Sequence, residues 1–282
     1  MFRFGNKEQK RKILTSLTKC DKFGCFCFTE PSTGSDPKAI ATTARPAGDC
    51  YIISGEKTFI SVSPVASTGI IFAKDDTNRV TAFVADTADH GFVVGEVCET
   101  MGLRGLGSST VYFNDMEISS KNILGKKGEG YEVLLEAISM ERMGVAAQSV
   151  GIAQAALDLF VAYAQQRMAY EKPISRMPTI QWLLAEMCSN IEAGRWLTYQ
   201  TAFQRDQGRS VRKDSAVAKL FCSQMASAVT KMAMQVHGSY GAMRTLPVER
   251  MYRDAKMTEL YVGVSEIQRA IIADHLIRGE RE

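Results

Sequence analysis

The sequence predicts a segregated α+β chain: an antiparallel β-barrel or sandwich domain followed by a four-helix bundle. Two observations carry this. From Gly24 to about Ile123 the chain reads as short β-rich runs separated by turn residues. After Tyr131, apolar residues recur three and four apart to the end of the chain, the period of amphipathic helices. Between the two stretches lies Gly125-Lys-Lys-Gly-Glu-Gly130, in which no Ser or Thr follows a Gly-Lys pair, so it reads as a charged turn and not as a phosphate-binding P-loop. The expected boundaries are residues 1–20, a helical lead-in; 21–128, the β-domain; and 129–282, the bundle.

The elements follow in order. Asn6 to Leu17 reads as a short helix, charged on one side and carrying Ile13, Leu14 and Leu17 on the other, the end of something longer. Examples of the β-rich runs are Cys50 to Ser54, Gly69 to Ala73, Val80 to Val84, Gly91 to Gly95 and Thr110 to Phe113. Many short strands with turns between them are the pattern of a barrel or sandwich. Val133, Leu134, Ala137 and Ile138, then Val150, Ala153, Leu157 and Phe160, mark a first long helix. A second spans about Ile180 to Asp206, and a third about Asp214 to Val236, stopped by Gly238. A fourth begins at Ser265, where Ser265-Glu-Ile-Gln268 has capping-box spacing and Ile267, Ile271, Ile272 and Leu276 share a face. Four such helices make a bundle.

Composition excludes several classes of function. Across 282 residues, 45% are apolar, as in a globular protein with a buried core. Lys plus Arg number 34 against 31 for Asp plus Glu, and no block of like charge occurs, so neither nucleic acid nor a membrane surface is an expected partner. Seven scattered cysteines, an odd number, read as reduced thiols in a reducing compartment, with Cys25 and Cys27 structural. His90, His237 and His275 lie far from that Cys-x-Cys pair, so no metal site is expected. The first residues lack an apolar leader core, and no apolar run approaches the ~18 residues of a membrane span. A cytoplasmic location is the expectation.

Several segments resemble the acyl-CoA dehydrogenase family, in the right order over nearly the whole chain. Phe26-Cys-Phe-Thr-Glu-Pro-Ser-Thr-Gly-Ser-Asp36 resembles its flavin-contacting segment, and Gly55-Glu-Lys-Thr-Phe-Ile-Ser61 the strand beside the isoalloxazine ring. Arg167-Met-Ala-Tyr170 resembles a segment that reaches the FAD of a neighbouring subunit. Gln235-Val-His-Gly-Ser-Tyr-Gly241 resembles a Gln-x-x-Gly-Gly-x-Gly turn, and Tyr252-Arg-Asp-Ala-Lys256 with Gly263-Val-Ser-Glu-Ile-Gln268 the C-terminal signature. The resemblance implies FAD contacts at Phe26, Phe28, Thr29, Ser35, Phe59, Ile60, Ser61, Arg167, Tyr170, Gln235, Gly238, Ser239, Ser265 and Glu266. It implies substrate contacts at Ser35, Arg142 and Gly263. The residue types suit a flavin: a flat apolar neighbour in Phe59, hydroxyls in Thr29 and Ser61, and helix amides and glycine at the pyrophosphate.

Members of such a family remove the α-proton of an acyl thioester with a carboxylate while the β-hydride passes to flavin. Many carry that Glu just before the Gly of the C-terminal signature, where this chain reads Tyr261-Val262-Gly263-Val264, and Val262 can accept no proton. A minority carry it on the first bundle helix, where this chain has Met140-Glu141-Arg142. Glu141 is therefore the expected base, with a pKa raised by apolar surroundings, and Arg142 is placed near the thioester end. The bland reading of Glu141, a solvated helix residue beside Arg142, stays open. Other departures fall on cofactor contacts: Val264 for Thr, Ser239 for Gly, Ala169 for Thr or Gln, and Pro178 where Gln is common.

The resemblance implies an FAD-dependent oxidoreductase of fatty acid metabolism acting at Cα–Cβ of an acyl-CoA or acyl-carrier-protein thioester. Its acceptor would be an electron-transferring flavoprotein or another acceptor. It also implies that residues 1–20 are what stands here of an N-terminal helical domain. A homo-oligomer, dimer or tetramer, or a hetero-oligomer with a paralogue is expected. Two alternatives remain: a non-catalytic, FAD-poor subunit that scaffolds a full-length paralogue, and a truncated, degenerate family member.

Overall fold

The computed structural model describes residues 1–279, which form two compact units. One comprises Met1–Thr100 with Arg104–Ala137; the other comprises Met101–Leu103 with the chain from Ile138 onward.

The first unit opens with a helical run, α1 (Lys7–Gln9), a π-type turn (Lys10–Leu14) and α2 (Thr15–Thr18), started by an Asn6 and Gln9 capping box. Seven strands follow: β1 (Gly24–Cys27), β2 (Thr43–Ala47), β3 (Cys50–Ile60), β4 (Thr68–Lys74), β5 (Val80–Asp86), β6 (Phe92–Val97) and β7 (Ser109–Ser119). They form one sheet in the order β1-β4-β2-β3-β7-β6, with β5 on the other side of β4. The α+β class is as the sequence predicts, but the sheet is not wholly antiparallel. β1 runs parallel to β4, Gly24 opposite Thr68 through Cys27 opposite Ile71, and Thr43 of β2 also pairs parallel with Lys74 of β4. Alternating hydrophobicity reports which face is buried and says nothing of strand direction, so this could not be read from the residues. Ile53, Ile71, Phe83, Val111, Phe113 and Met116 fill the interior.

Two register shifts shape β3. Its ladder with β7 slips between Ile53 and Gly55 and again between Lys57 and Ile60. Bulges rotate a strand locally. Lys57 keeps the alternation of Tyr51 and Ile53 and is buried with them, and beyond it the second shift carries Phe59, at φ 56°, outward and turns Ile60 in.

The second unit holds α4 (Pro178–Asp206), α5 (Arg212–Val236), α6 (Pro247–Leu260), α7 (Ser265–Arg278) and most of α3 (Gly130–Gln166). Ala153, Phe160, Met187, Ile191, Cys222, Val229 and Ala255 pack its core. α3 is long and apolar enough by composition to cross a membrane, but Ala146, Val150, Ala153, Leu157 and Phe160 are spent on that core. α6 is a helix the sequence reading does not single out; it is short and rich in charge, and only Val248, Ala255 and Thr258 of its 14 residues are buried. Pro247 at its first position was an available signal. The expected capping box at Ser265 is absent. Ser265 is already the first helical residue, and the Gln268 amide donates to the carbonyls of Val262 (3.1 Å) and Gly263 (2.8 Å) instead.

Candidate functional site

The expected site residues fall into three groups, one in the first unit and two in the second. In the first unit a buried ion pair organises the turn after β1. Lys57 Nζ lies 2.8 Å from Glu30 Oε1 and donates to the Phe28 carbonyl at 3.2 Å. Glu30 in turn accepts from the amides of Ala41 and Thr42 and from the Thr42 hydroxyl. Burial pushes the Glu30 carboxyl up, but these donors, Lys57 first, outweigh it and hold it below the usual carboxylate range. The Thr58 amide donates to the Thr29 carbonyl at 2.8 Å, which brings Thr29 alongside the outer end of β3.

On that frame Phe59 is 66% exposed, an unusual position for a large ring, and Ser61 is exposed with its hydroxyl 3.2 Å from that of Ser108. Ser35 is also exposed, and Thr29 is half-buried. Phe26 packs edge-on against Phe72, with ring centroids 4.9 Å apart. The side chains of Phe28 and Ile60 are buried in the interior, so they offer a ligand main-chain groups only. Cys25 and Cys27 are buried with their sulfurs 3.7 Å apart.

In the second unit, α3, which carries Glu141 and Arg142, meets the turn between α6 and α7. Gln148, two helical turns after Glu141 and therefore on the same face, accepts a hydrogen bond from the Tyr261 hydroxyl. Burial raises the Glu141 carboxyl to about 7, against the opposing pull of Arg142. Arg142 is 5% exposed, and its Nε has no hydrogen-bond partner. Burial first, and then the charge of Arg212, bring it down to about 10. The turn itself runs through the left-handed region at Val262 (φ 55°) and Gly263 (φ 82°). Such a conformation costs a β-branched residue energy and needs support from its surroundings.

That support comes from two residues the sequence reading missed as site residues. Gln268 binds the turn as described, and Lys219 of α5, with no exposed surface, donates to the carbonyls of Gly263 (2.8 Å) and Glu259 (3.1 Å). A readable signal existed: Ser215, Lys219, Cys222 and Ala226 recur four, three and four apart and are all buried, so a lysine sits on the apolar face of its helix. Beside the turn, Ser265 Oγ and Gln268 Oε1 are buried without a hydrogen-bond partner. Glu266 is exposed at the same helix start.

The third group surrounds the ends of α3 and α5. The Tyr163 and His237 rings stack with centroids 4.3 Å apart, and His237 Nδ1 lies 2.7 Å from the Ala233 carbonyl. Arg167, one turn past Tyr163, and Gln235, Gly238 and Ser239, on either side of His237, are all exposed. A two-stranded hairpin follows, β8 (Met168–Ala169) and β9 (Lys172–Pro173), whose central residues Tyr170 and Glu171 both have positive φ, as a two-residue hairpin turn demands. It leaves the Tyr170 ring outside, 89% exposed. Among the described residues no three His, Cys, Asp or Glu side chains gather as a metal site.

The model for the acyl-CoA dehydrogenase middle domain matches residues 25–116, and that for the acyl-CoA dehydrogenase C-terminal domain matches residues 128–277. The mitochondrial short-chain specific acyl-CoA dehydrogenase of Rattus norvegicus is 39% identical over 285 residues, which cover all of this chain and 69% of the relative. Butyryl-CoA dehydrogenase from Megasphaera elsdenii superposes with a TM-score of 0.96 at 35% identity, covering 98% of this chain and 74% of that one. An acyl-CoA dehydrogenase from Bacillus anthracis, solved in complex with FAD, gives 0.93 at 29% identity over 98% of this chain and 50% of its own. With both family models matched along most of its length, this chain belongs to the acyl-CoA dehydrogenase family.

Proposed function

We propose that this chain acts at the Cα–Cβ bond of an acyl thioester, with Glu141 as the base that takes the α-proton and FAD as the cofactor. The family is one of FAD-dependent oxidoreductases, and the residues present fit that group. Ser265 Oγ and Gln268 Oε1 are buried polar atoms left without partners at the first turn of a 14-residue helix. Unpaired amides and the positive end of a helix dipole suit a diphosphate. Gly238 at φ 59° has open space where a side chain would stand, and the exposed Phe59 ring with Thr29 and Ser61 suits a flat heterocycle with polar edges. When bound, the flavin supplies the acceptor for the hydride that leaves Cβ.

The rest is the work of the chain. The observation that carries the reading is the desolvated Glu141 carboxyl: at about 7 it is ionised enough at neutral pH to accept a proton and basic enough to take one from carbon. Arg142, buried with a spare Nε, offers positive charge and a donor for the thioester end. Val262 leaves Glu141 without a competing carboxylate at the commoner position of the base. Ser35, Gly263 and Arg142 are the proposed substrate contacts. Arg167, Tyr170, Gln235, Gly238 and Ser239 are read as serving the FAD of a neighbouring copy, which makes the working form an oligomer. Acyl-CoA or an acyl-carrier-protein thioester is the substrate class, and an electron-transferring flavoprotein or another acceptor takes the electrons.

The test is anaerobic bleaching of the flavin absorbance by an acyl-CoA. It should occur in the native protein and be lost in Glu141→Gln with FAD content unchanged; full bleaching in the variant refutes the assignment. A second reading, an FAD-poor subunit scaffolding a paralogue, is favoured by Ala169 and Val264, whose side chains donate no hydrogen bond. A colourless protein that takes up no added FAD would select it.

A further inference from the structure

A lysine ammonium with no exposed surface has to be accounted for, because burying a cation without partners is costly. Lys219 Nζ is met by main chain: the Glu259 carbonyl at 3.1 Å, in the last turn of α6, and the Gly263 carbonyl at 2.8 Å, two residues before α7. A cation at a helix C-terminus is held by the last carbonyls and by the negative end of the dipole. The carboxylate of Glu259 is engaged elsewhere, by the Ser227 hydroxyl and by Lys256 at 2.9 Å. Lys219 therefore joins the end of one helix to the start of the next across a turn whose Val262 and Gly263 lie at positive φ.

We propose that Lys219 is a positioning residue that clamps the α6–α7 turn in the shape which presents the first turn of α7, with Ser265, to the cofactor's diphosphate. The proposal rests on the flavin reading given above. The clamp needs the charged form of the amine, since neutral lysine is a weaker donor to two carbonyls. The charges facing it are Arg142 on α3, Glu259 on α6 and Glu266 on α7; burial first, and Arg142 with it, bring the amine down to about 8 against the pull of the two glutamates. The turn is therefore firm at neutral pH and loosens as the pH rises through about 8.

Two readouts on the full chain test this, one needing no cofactor. Hydrogen exchange of the amides of residues 261–268, corrected for the intrinsic pH dependence of exchange, should show protection that falls between pH 7 and 9 in the native protein. In Lys219→Met it should be lost at both pH values, and in Lys219→Arg kept at both. FAD affinity should follow, about tenfold to a hundredfold weaker in Lys219→Met at pH 7, the span of a lost charged hydrogen bond, and rescued in Lys219→Arg. Native-like protection and FAD affinity in Lys219→Met would overturn the proposal. If Lys219→Met fails to fold, pH-independent protection in the native protein would overturn it equally. Turn protection that follows Lys219 with no FAD uptake by any of the proteins would refute the flavin reading and leave the clamp standing.

Discussion

Glu141 could be singled out as the proposed base because the Met-Glu-Arg segment falls where a minority of the family carries its own, whereas its surroundings could not be read. Apolar neighbours in sequence only suggested desolvation; the fold supplies it and raises the carboxyl to about 7. Two expectations follow. The base works deprotonated, so substrate-dependent flavin reduction should climb with pH through about 7 and level off above it, read by stopped-flow absorbance. Stability should move the opposite way. A carboxyl whose folded value exceeds its unfolded value of 4.5 binds more protons in the native state between those two values, so its contribution is full below 4.5 and is lost as pH rises through about 7. Urea denaturation at pH 5 and pH 8 should show native protein losing more stability across that interval than Glu141→Gln does; equal losses would place Glu141 in solvent. Lys57 shows the limit of reading residues singly. As a lysine it counts as solvent-facing, and only its place in the alternation of β3, on the buried side with Tyr51 and Ile53, puts it onto Glu30.

At the scale of elements, five of the seven strands of the large sheet and four long helices were legible, while β1, β2, the pairing direction and one helix were not. Strand sequences record burial on each face, and β1 against β4 is parallel for reasons of chain path. α6 does space Val248, Met251, Tyr252 and Ala255 as a helix would, but the segment is short and rich in charge and was not singled out. Helix stops were plainer. α5 ends at Val236, and Gly238 takes φ 59° two residues later, the left-handed position that closes many helices. Any Cβ there has open space around it, so the cost of Gly238→Ala is purely conformational. It should destabilise the protein by about 1–2 kcal/mol by denaturant titration, and an unchanged midpoint would mean that the turn relaxes. The expected capping box failed because its spacing is necessary but not sufficient: at α7 the Gln268 amide is taken by carbonyls of the preceding turn.

For the whole molecule, each unit has its own core, and one exposed surface remains to be explained. Trp182, Trp196, Tyr199 and Phe203 of α4 are all exposed and share one side of the helix, with Trp196 and Tyr199 in edge contact at 6.1 Å. Apolar surface of this kind marks an interface, in keeping with the proposed oligomer. Light scattering should find the native protein larger than a monomer, and Trp196→Glu with Phe203→Glu should reduce its mass; a native monomer would contradict this. The central claim concerns the reacting α-carbon, which flavin reduction reports only through the electrons that leave the substrate. The most direct measurement is exchange of the α-protons of a saturated acyl-CoA in D2O, followed by NMR with the flavin-loaded protein. The native protein should wash deuterium into the α-position, and Glu141→Gln should slow this by about a hundredfold or more, the usual cost of removing a general base. Exchange at the native rate in Glu141→Gln would show that another group takes the proton.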